Sequence, residues 1–137
     1  MVIPNHQFWR GKRVLITGHT GFKGAWLTLW LSHMGAEIAG FSLPDFPSDP
    51  CLFDLANRTV ITHKEGDLKE PSGIADVIKE CQPEIIFHMA AQSLVRESYD
   101  NPVDTYATNV MGTLHLFEAA RAHESVKAII NVTSDKC

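Results

Sequence analysis

Arg13-Val-Leu-Ile-Thr-Gly-His-Thr-Gly-Phe-Lys-Gly24 decides how this chain is read. Arg13 to Thr17 is a short β-branched run of strand type, and Gly18, Gly21 and Gly24 follow it in a GxxGxxG spacing. From Thr20 to Met34 the pattern turns helical, with Phe22, Ala25, Trp26, Leu29, Trp30 and Leu31 on a broad apolar face and Gly35 where a helix cap is expected. A glycine turn between a strand and a helix lets main-chain N–H groups approach a pyrophosphate, and the helix N-terminus adds a favourable dipole. Dinucleotide binding is the expectation, with Gly18, Gly21, Phe22, Lys23 and Gly24 as its residues. The alternative is a tight turn that merely lets the helix pack closely. A nucleotide-triphosphate loop does not fit, because Gly24 follows Lys23 and the GK[ST] ending is missing.

Outward from this turn the elements alternate. Glu37 to Phe41 reads as a second strand, and Leu43 to Arg58 as a proline-punctuated loop whose Cys51 to Ala56 segment suggests a helical turn. Val60 to Glu65 is a weak strand. Pro71 to Cys81 is a helix, with Ile74, Val77, Ile78 and Cys81 at i, i+3, i+4 and i+7. Glu84 to Met89 is a strand with little alternation, as when both faces are buried. Pro102 to His123 is a long helix whose Tyr106, Val110, Leu114 and Phe117 are expected in the core, and Val126 to Val132 is the last strand. The order β-α-β-loop-β-α-β-α-β implies an α/β fold: a Rossmann-like, doubly wound parallel sheet.

Composition narrows the class. The chain has 137 residues, 45% hydrophobic and 20% charged, with a net charge of -4. That excludes a disordered charged tail and argues against non-specific nucleic-acid binding. No apolar run approaches the roughly 20 residues of a membrane span, and the start is not that of a secretory signal. The three cysteines, Cys51, Cys81 and Cys137, form no CxxC pair and fit reduced thiols in the cytoplasm. The seven histidines show no HExxH spacing, so no metal is expected.

In sheets of this kind an acid at the end of the second strand usually binds the ribose diol and repels a 2′-phosphate. Here that place falls at Ser42, and the only acid near it is Asp45 in the proline-flanked loop. The expected cofactor is NAD, with NADP as the weaker alternative. Asp67 and Leu68 follow the third strand. Asp67 reads either as a cap for the helix beginning at Pro71 or as a partner for adenine.

Thr17 to Gly24, Asp67-Leu68, His88-Met-Ala-Ala91 and Asn109-Val-Met-Gly-Thr113 together resemble the N-terminal part of the extended short-chain dehydrogenases/reductases. Phe8-Trp9, Gly11-Lys12, Ala90-Ala-Gln-Ser-Leu-Val-Arg96, Ser98-Tyr99 and the terminal Thr133-Ser-Asp-Lys-Cys137 make the chain most similar, within that superfamily, to the CDP-glucose 4,6-dehydratase family. The resemblance spans essentially the whole chain. It implies that Gly18, Gly21 and Gly24 hold the cofactor pyrophosphate, that Asp67 and Leu68 contact adenine, and that Ala90, Ala91 and Thr133 line the cofactor. It implies that Asn109 organises the site and that Gln92 serves the nucleotide sugar. Arg96, an arginine suited to bidentate phosphate binding, reads either as a partner for the substrate phosphate or a neighbouring subunit, or as a solvated loop charge.

The reaction implied by the resemblance is an internal redox cycle on CDP-glucose or a related nucleotide sugar. Oxidation at C4 acidifies the C5 hydrogen, water leaves across C5 and C6, and hydride returns to C6. Three tasks fall to the protein: a base for the C4 hydroxyl, a base at C5, and an acid for the departing hydroxyl. The resemblance gives Asp135 the acid, Ser134 a hydrogen bond to the C4 oxygen, and Lys136 a place where related dehydratases carry a glutamate base. Lys136 is then the C5 base, or a cation that stabilises the enolate. The superfamily's YxxxK motif is missing, since Val103 and Val110 stand four residues after Tyr99 and Tyr106. These residues are therefore expected to be about five strands of a larger NAD-binding domain, inactive alone, with the substrate-binding portion lying further along a chain that forms a dimer or tetramer. The resemblance also implies that the helix from Pro102 to His123 is shared at a dimer interface. The alternatives are another nucleotide-sugar epimerase or dehydratase, or an NAD-binding module without catalysis.

Overall fold

A computed structural model describes residues 5–44, 51–53 and 60–133. Five strands form one parallel sheet: β1 (Arg13–Thr17), β2 (Glu37–Ser42), β3 (Val60–Glu65), β4 (Ile85–His88) and β5 (Ala128–Asn131). Their order is β3-β2-β1-β4-β5. The helices are α1 (His6–Trp9), α2 (Phe22–His33), α3 (Pro71–Cys81), α4 (Val95–Asp100), α5 (Pro102–Tyr106) and α6 (Gly112–Arg121). A π-helical turn over Ala107–Met111 joins α5 to α6. The doubly wound sheet read from the sequence is the fold observed. α1 and α4, each shorter than the window in which periodicity shows, were not legible in it. Asp45 and the Ser134-Asp135-Lys136 triplet lie outside the described residues, as does half of the expected 51–56 helical turn.

β1 occupies the sheet's midline because both of its faces are apolar. Val14 and Ile16 meet Leu31 of α2, with Ala36, Ile38 and Ile85. Leu15 points to the other face, where Phe41, Leu68, Ile74, Val77, Ile78, Ile86, Leu116 and Ala120 complete the larger core. Successive strand residues thus feed two separate cores, as the period of two requires. Pro71 begins α3, where a missing N–H costs nothing.

Two apolar stripes go elsewhere than expected. On α2 the sheet is met by Gly24, Ala25, Thr28 and Leu31, whereas Phe22, Trp26 and Trp30 point outward, 73%, 54% and 55% exposed. On the long helix the buried residues are Gly112, Leu116 and Ala120, while Tyr106, Val110, Leu114 and Phe117 are exposed. Both helices are apolar on more than one side, so periodicity could not show which side faces the sheet. Small residues win that contact because they let the helix axis approach the strands.

At the opposite end from the glycine turn, Glu84 ties three strands together. Its carboxylate accepts from Lys12 Nζ at 2.9 Å and from the Arg13 amide at 3.3 Å, and its carbonyl accepts from the Lys127 amide at 2.8 Å. The Lys12 hydrogen bond, more than any other influence, holds the Glu84 carboxyl below its usual range. A depressed acid stabilises the fold above its unfolded pKa and loses that effect as pH falls through the folded value. The pair is partly exposed, so Lys12→Met should cost only about 0.2–1 kcal/mol at neutral pH. The difference from wild type should shrink toward acid, as denaturant titrations across the carboxylate range would show.

Candidate functional site

The site is built where β1 and β4 diverge. β1 pairs with β2 on one side and β4 on the other, so the chain leaves the two central strands toward opposite faces. In open α/β sheets ligands collect outside the carboxyl ends of the strands at such a switch point. Gly18 turns the chain there with φ +72°, its amide donating to the Phe41 carbonyl at 2.8 Å. A Cβ on Gly18 would lie 2.8 Å from the Ala90 backbone nitrogen, so the glycine turn and the loop after β4 touch at main-chain level. A Cβ on Gly24 would collide with the Gly18 carbonyl. Gly21 is the N-cap of α2 and supplies no side-chain cap. The amides of Phe22 and Lys23 therefore begin the helix as donors that no earlier carbonyl of that helix can satisfy. Such an uncapped helix start, beside a cradle that side chains would fill, fits a pyrophosphate.

Beneath the turn lies a histidine that sequence reading passed over. His19 is fully buried, its Nε2 2.8 Å from His63 Nδ1, with the Phe53 ring edge-on at 4.9 Å. Burial first, and then the neighbouring His63, pull its pKa down to about 4, so it stays neutral beneath the glycine turn. Only the three-dimensional pairing of positions 19 and 63 reveals it.

Ser42 ends β2 as expected, but its side chain is buried and its hydroxyl donates to the Leu43 carbonyl at 3.2 Å. Asp67 does not cap α3, whose N-cap is Glu70. Instead Asp67 Oδ1 accepts from the Lys69 amide at 2.9 Å, and Lys69 Nζ bridges Asp67 and Asp104 at 3.3 and 2.6 Å. The bond to Asp104, then that to Asp67, raises the Lys69 pKa. His115 Nδ1 lies 2.8 Å from the Leu68 carbonyl, and Leu68 fills the space beside Gly112. The Asp67-Leu68 turn is thus clamped by the long helix, with Leu68 itself buried in the core.

The loop after β4 is held by an amide clamp. Asn109 Oδ1 accepts from the Gln92 amide at 2.8 Å, and Asn109 Nδ2 donates to the Gln92 carbonyl at 2.9 Å. Asn109 sits in the π-helical turn, which bends its side chain out of the regular helical row; such turns recur at functional sites. Gln92, read from sequence as touching substrate, spends its side chain within the chain: Oε1 accepts from the Leu94 amide at 2.6 Å and Nε2 donates to Thr105 Oγ1 at 3.1 Å. Ala90 is half-buried and Ala91 exposed on the same loop; Arg96 on α4 and Thr133 after β5 are exposed. Asn109→Ala would leave both Gln92 backbone groups without their partner. It should cost about 1–3 kcal/mol, read as a lower denaturation midpoint.

Among the described residues no cluster of His, Cys, Asp and Glu can hold a metal ion, and no helix is long and apolar enough to cross a membrane. An apolar hollow of about 600 Å³ lined by Phe22, Trp26 and Trp30 runs along α2. It lies on the helix's outward side, not at the carboxyl ends of the strands.

A parallel sheet in this order, with a glycine turn against a clamped β4 loop, defines the nucleotide-binding half of the short-chain dehydrogenase type. Residues 15–137 match the family model described as GDP-mannose 4,6 dehydratase, and the chain belongs to that family. It is 51% identical over 131 residues to the CDP-glucose 4,6-dehydratase of Salmonella typhimurium, covering 95% of this chain and 36% of that protein. The resemblance read from the sequence is thereby confirmed. Epimerase Mth375 of Methanothermobacter thermautotrophicus superimposes with a TM-score of 0.80 at 26% identity, over 95% of this chain and 37% of that one. The UDP-glucose 4-epimerase of Thermus thermophilus, solved with NAD, gives 0.70 at 30% identity, over 80% and 34%. The chain thus spans little more than a third of the length of the proteins it matches.

Proposed function

We propose that the protein to which these residues belong is an NAD-dependent nucleotide-sugar 4,6-dehydratase acting on CDP-glucose, a hydro-lyase of deoxysugar biosynthesis. The observation that carries this is the 51% identity to a CDP-glucose 4,6-dehydratase along a chain whose glycine turn fits a dinucleotide. In this reading residues 1–137 are the N-terminal part of the NAD-binding domain, in a cytoplasmic homo-oligomer, and the substrate-binding portion lies elsewhere in the longer chain.

NAD supplies reversible two-electron chemistry at the sugar's C4 and C6. This chain's residues bind and orient it: the glycine turn and the first amides of α2 face the pyrophosphate, Asp67 and Leu68 the adenine, and Ala90, Ala91 and Thr133 the far half. NAD rather than NADP is supported by the end of β2, where Phe41-Ser-Leu-Pro44 offers no cation to a 2′-phosphate. Beyond the cofactor, Ser134 holds the C4 oxygen, Asp135 delivers a proton to the C6 hydroxyl as it leaves, and Lys136 takes the C5 proton.

The test is to incubate the full-length protein with CDP-glucose and NAD. A 4-keto product, absorbing in alkali, is expected. Epimerised sugar without keto product would make the protein an epimerase, and tight NAD binding with unchanged sugar would make it a binding module.

A further inference from the structure

A buried chain of hydrogen bonds runs through His88, which the proposed mechanism does not use. His88 ends β4 at 2% exposure. Its Nδ1 lies 2.7 Å from Thr17 Oγ1, at the end of β1, and its Nε2 lies 3.0 Å from Thr113 Oγ1, on α6. The Thr113 hydroxyl donates to the Asn109 carbonyl at 2.7 Å. Thr17 Oγ1 also accepts from the backbone amides of Met89 and Ala90, each at 3.2 Å.

The donors and acceptors in this chain admit one arrangement of protons. Thr113 gives its only hydroxyl proton to Asn109, so its oxygen must accept from His88, and His88 carries its proton on Nε2. In a neutral imidazole Nδ1 is then a lone pair, and the Thr17 hydroxyl donates to it. Thr17 Oγ1 is left with two lone pairs, which take the Met89 and Ala90 amides. With the proton on Nδ1, or on both nitrogens, the Thr17 hydroxyl would lose its acceptor in a buried site, at the cost such orphans carry. Burial lowers the His88 pKa, in keeping with a neutral ring.

Resting on the NAD site proposed above, we infer that His88 is a positioning residue: as the neutral Nε2–H tautomer it aims the Thr17 hydroxyl so that its oxygen fixes the Met89 and Ala90 amides. Ala90 is the residue whose backbone touches Gly18. His88 therefore sets the width of the crevice in which the cofactor lies, acting through Thr17 and not by contact with the cofactor. The same chain passes through Thr113 to the Asn109 carbonyl, so the crevice and the amide clamp on Gln92 share one rigid support.

The test uses the full-length protein labelled with ¹⁵N-histidine. One imidazole should show a proton on Nε2 and a bare Nδ1 throughout the neutral range, and that signal should vanish in His88→Asn. NAD affinity should fall about tenfold in His88→Leu, the size of one lost buried hydrogen bond, and similarly in Thr17→Val. His88→Asn, which keeps an acceptor toward Thr17, should stay within about threefold of wild type, and Thr17→Ser likewise. The double variant His88→Leu/Thr17→Val should bind no more weakly than Thr17→Val alone, because His88 acts through Thr17. A proton found on Nδ1, additive losses in the double variant, or unchanged affinity in His88→Leu would overturn the inference. If the variants do not fold, the tautomer seen in the wild-type protein decides. Absent turnover on CDP-glucose with these affinity effects intact counts against the dehydratase reading alone. A wild-type protein that binds no NAD overturns both.

Discussion

Gly18→Ala in the full-length protein is expected to abolish NAD binding and to lower stability by roughly 3 kcal/mol. Two penalties combine. At φ +72° an alanine Cβ crowds its own carbonyl, which costs about 1–2 kcal/mol. The same Cβ would sit 2.8 Å from the Ala90 nitrogen, a contact with backbone that no side-chain rotation can relieve. Overpacking of that kind costs about 1–3 kcal/mol. Because the obstruction lies between the turn and the β4 loop, relief comes by moving the two walls of the crevice apart. Denaturant titration measures the first effect and NAD titration the second. A variant with wild-type NAD affinity would show that the cofactor does not lie against this turn.

Asp135→Asn is expected to lower kcat about 10²–10⁴-fold in the full-length protein, with NAD affinity unchanged. The amide keeps the shape of the carboxyl and its capacity to donate a hydrogen bond, but it has no proton acidic enough to give to a departing hydroxide. The loss should therefore fall on kcat and leave KM for CDP-glucose near its wild-type value, because the bound sugar is held by other groups. Steady-state assays of 4-keto product across substrate concentration separate the two. A variant within threefold of wild-type kcat would remove Asp135 from the acid's role.

Much of the architecture was legible because it depends on local chemistry. The run from Arg13 to Thr17, the glycines at 18, 21 and 24, and Pro71 at the first turn of α3 each impose a backbone conformation on their own neighbourhood. The observed bounds of β3 and α3 are those read from sequence, Val60–Glu65 and Pro71–Cys81. The helix faces were misread for a different reason. Trp26 and Trp30 carry the strongest apolar signal on α2, yet Ala25 and Thr28 meet the sheet, since closeness of approach at Gly24 matters more there than apolar area. The residues that stiffen the site were invisible for the same kind of reason. His19 meets His63 across 44 positions, and His88 meets Thr17 across 71.

By itself the sequence determined the order and type of the strands and main helices, the position of the glycine turn, and the family. These follow from spacing along the chain: a period of two or 3.6 residues, a glycine where a side chain cannot fit, a motif of fixed length. Only the tertiary structure decided which helix faces are buried, that Gln92 turns its amide inward, and that neutral histidines stand beneath the cradle and behind the Ala90 loop. Burial, hydrogen-bond satisfaction and protonation depend on what surrounds a residue in space, and for these residues the partners that matter lie far away along the chain.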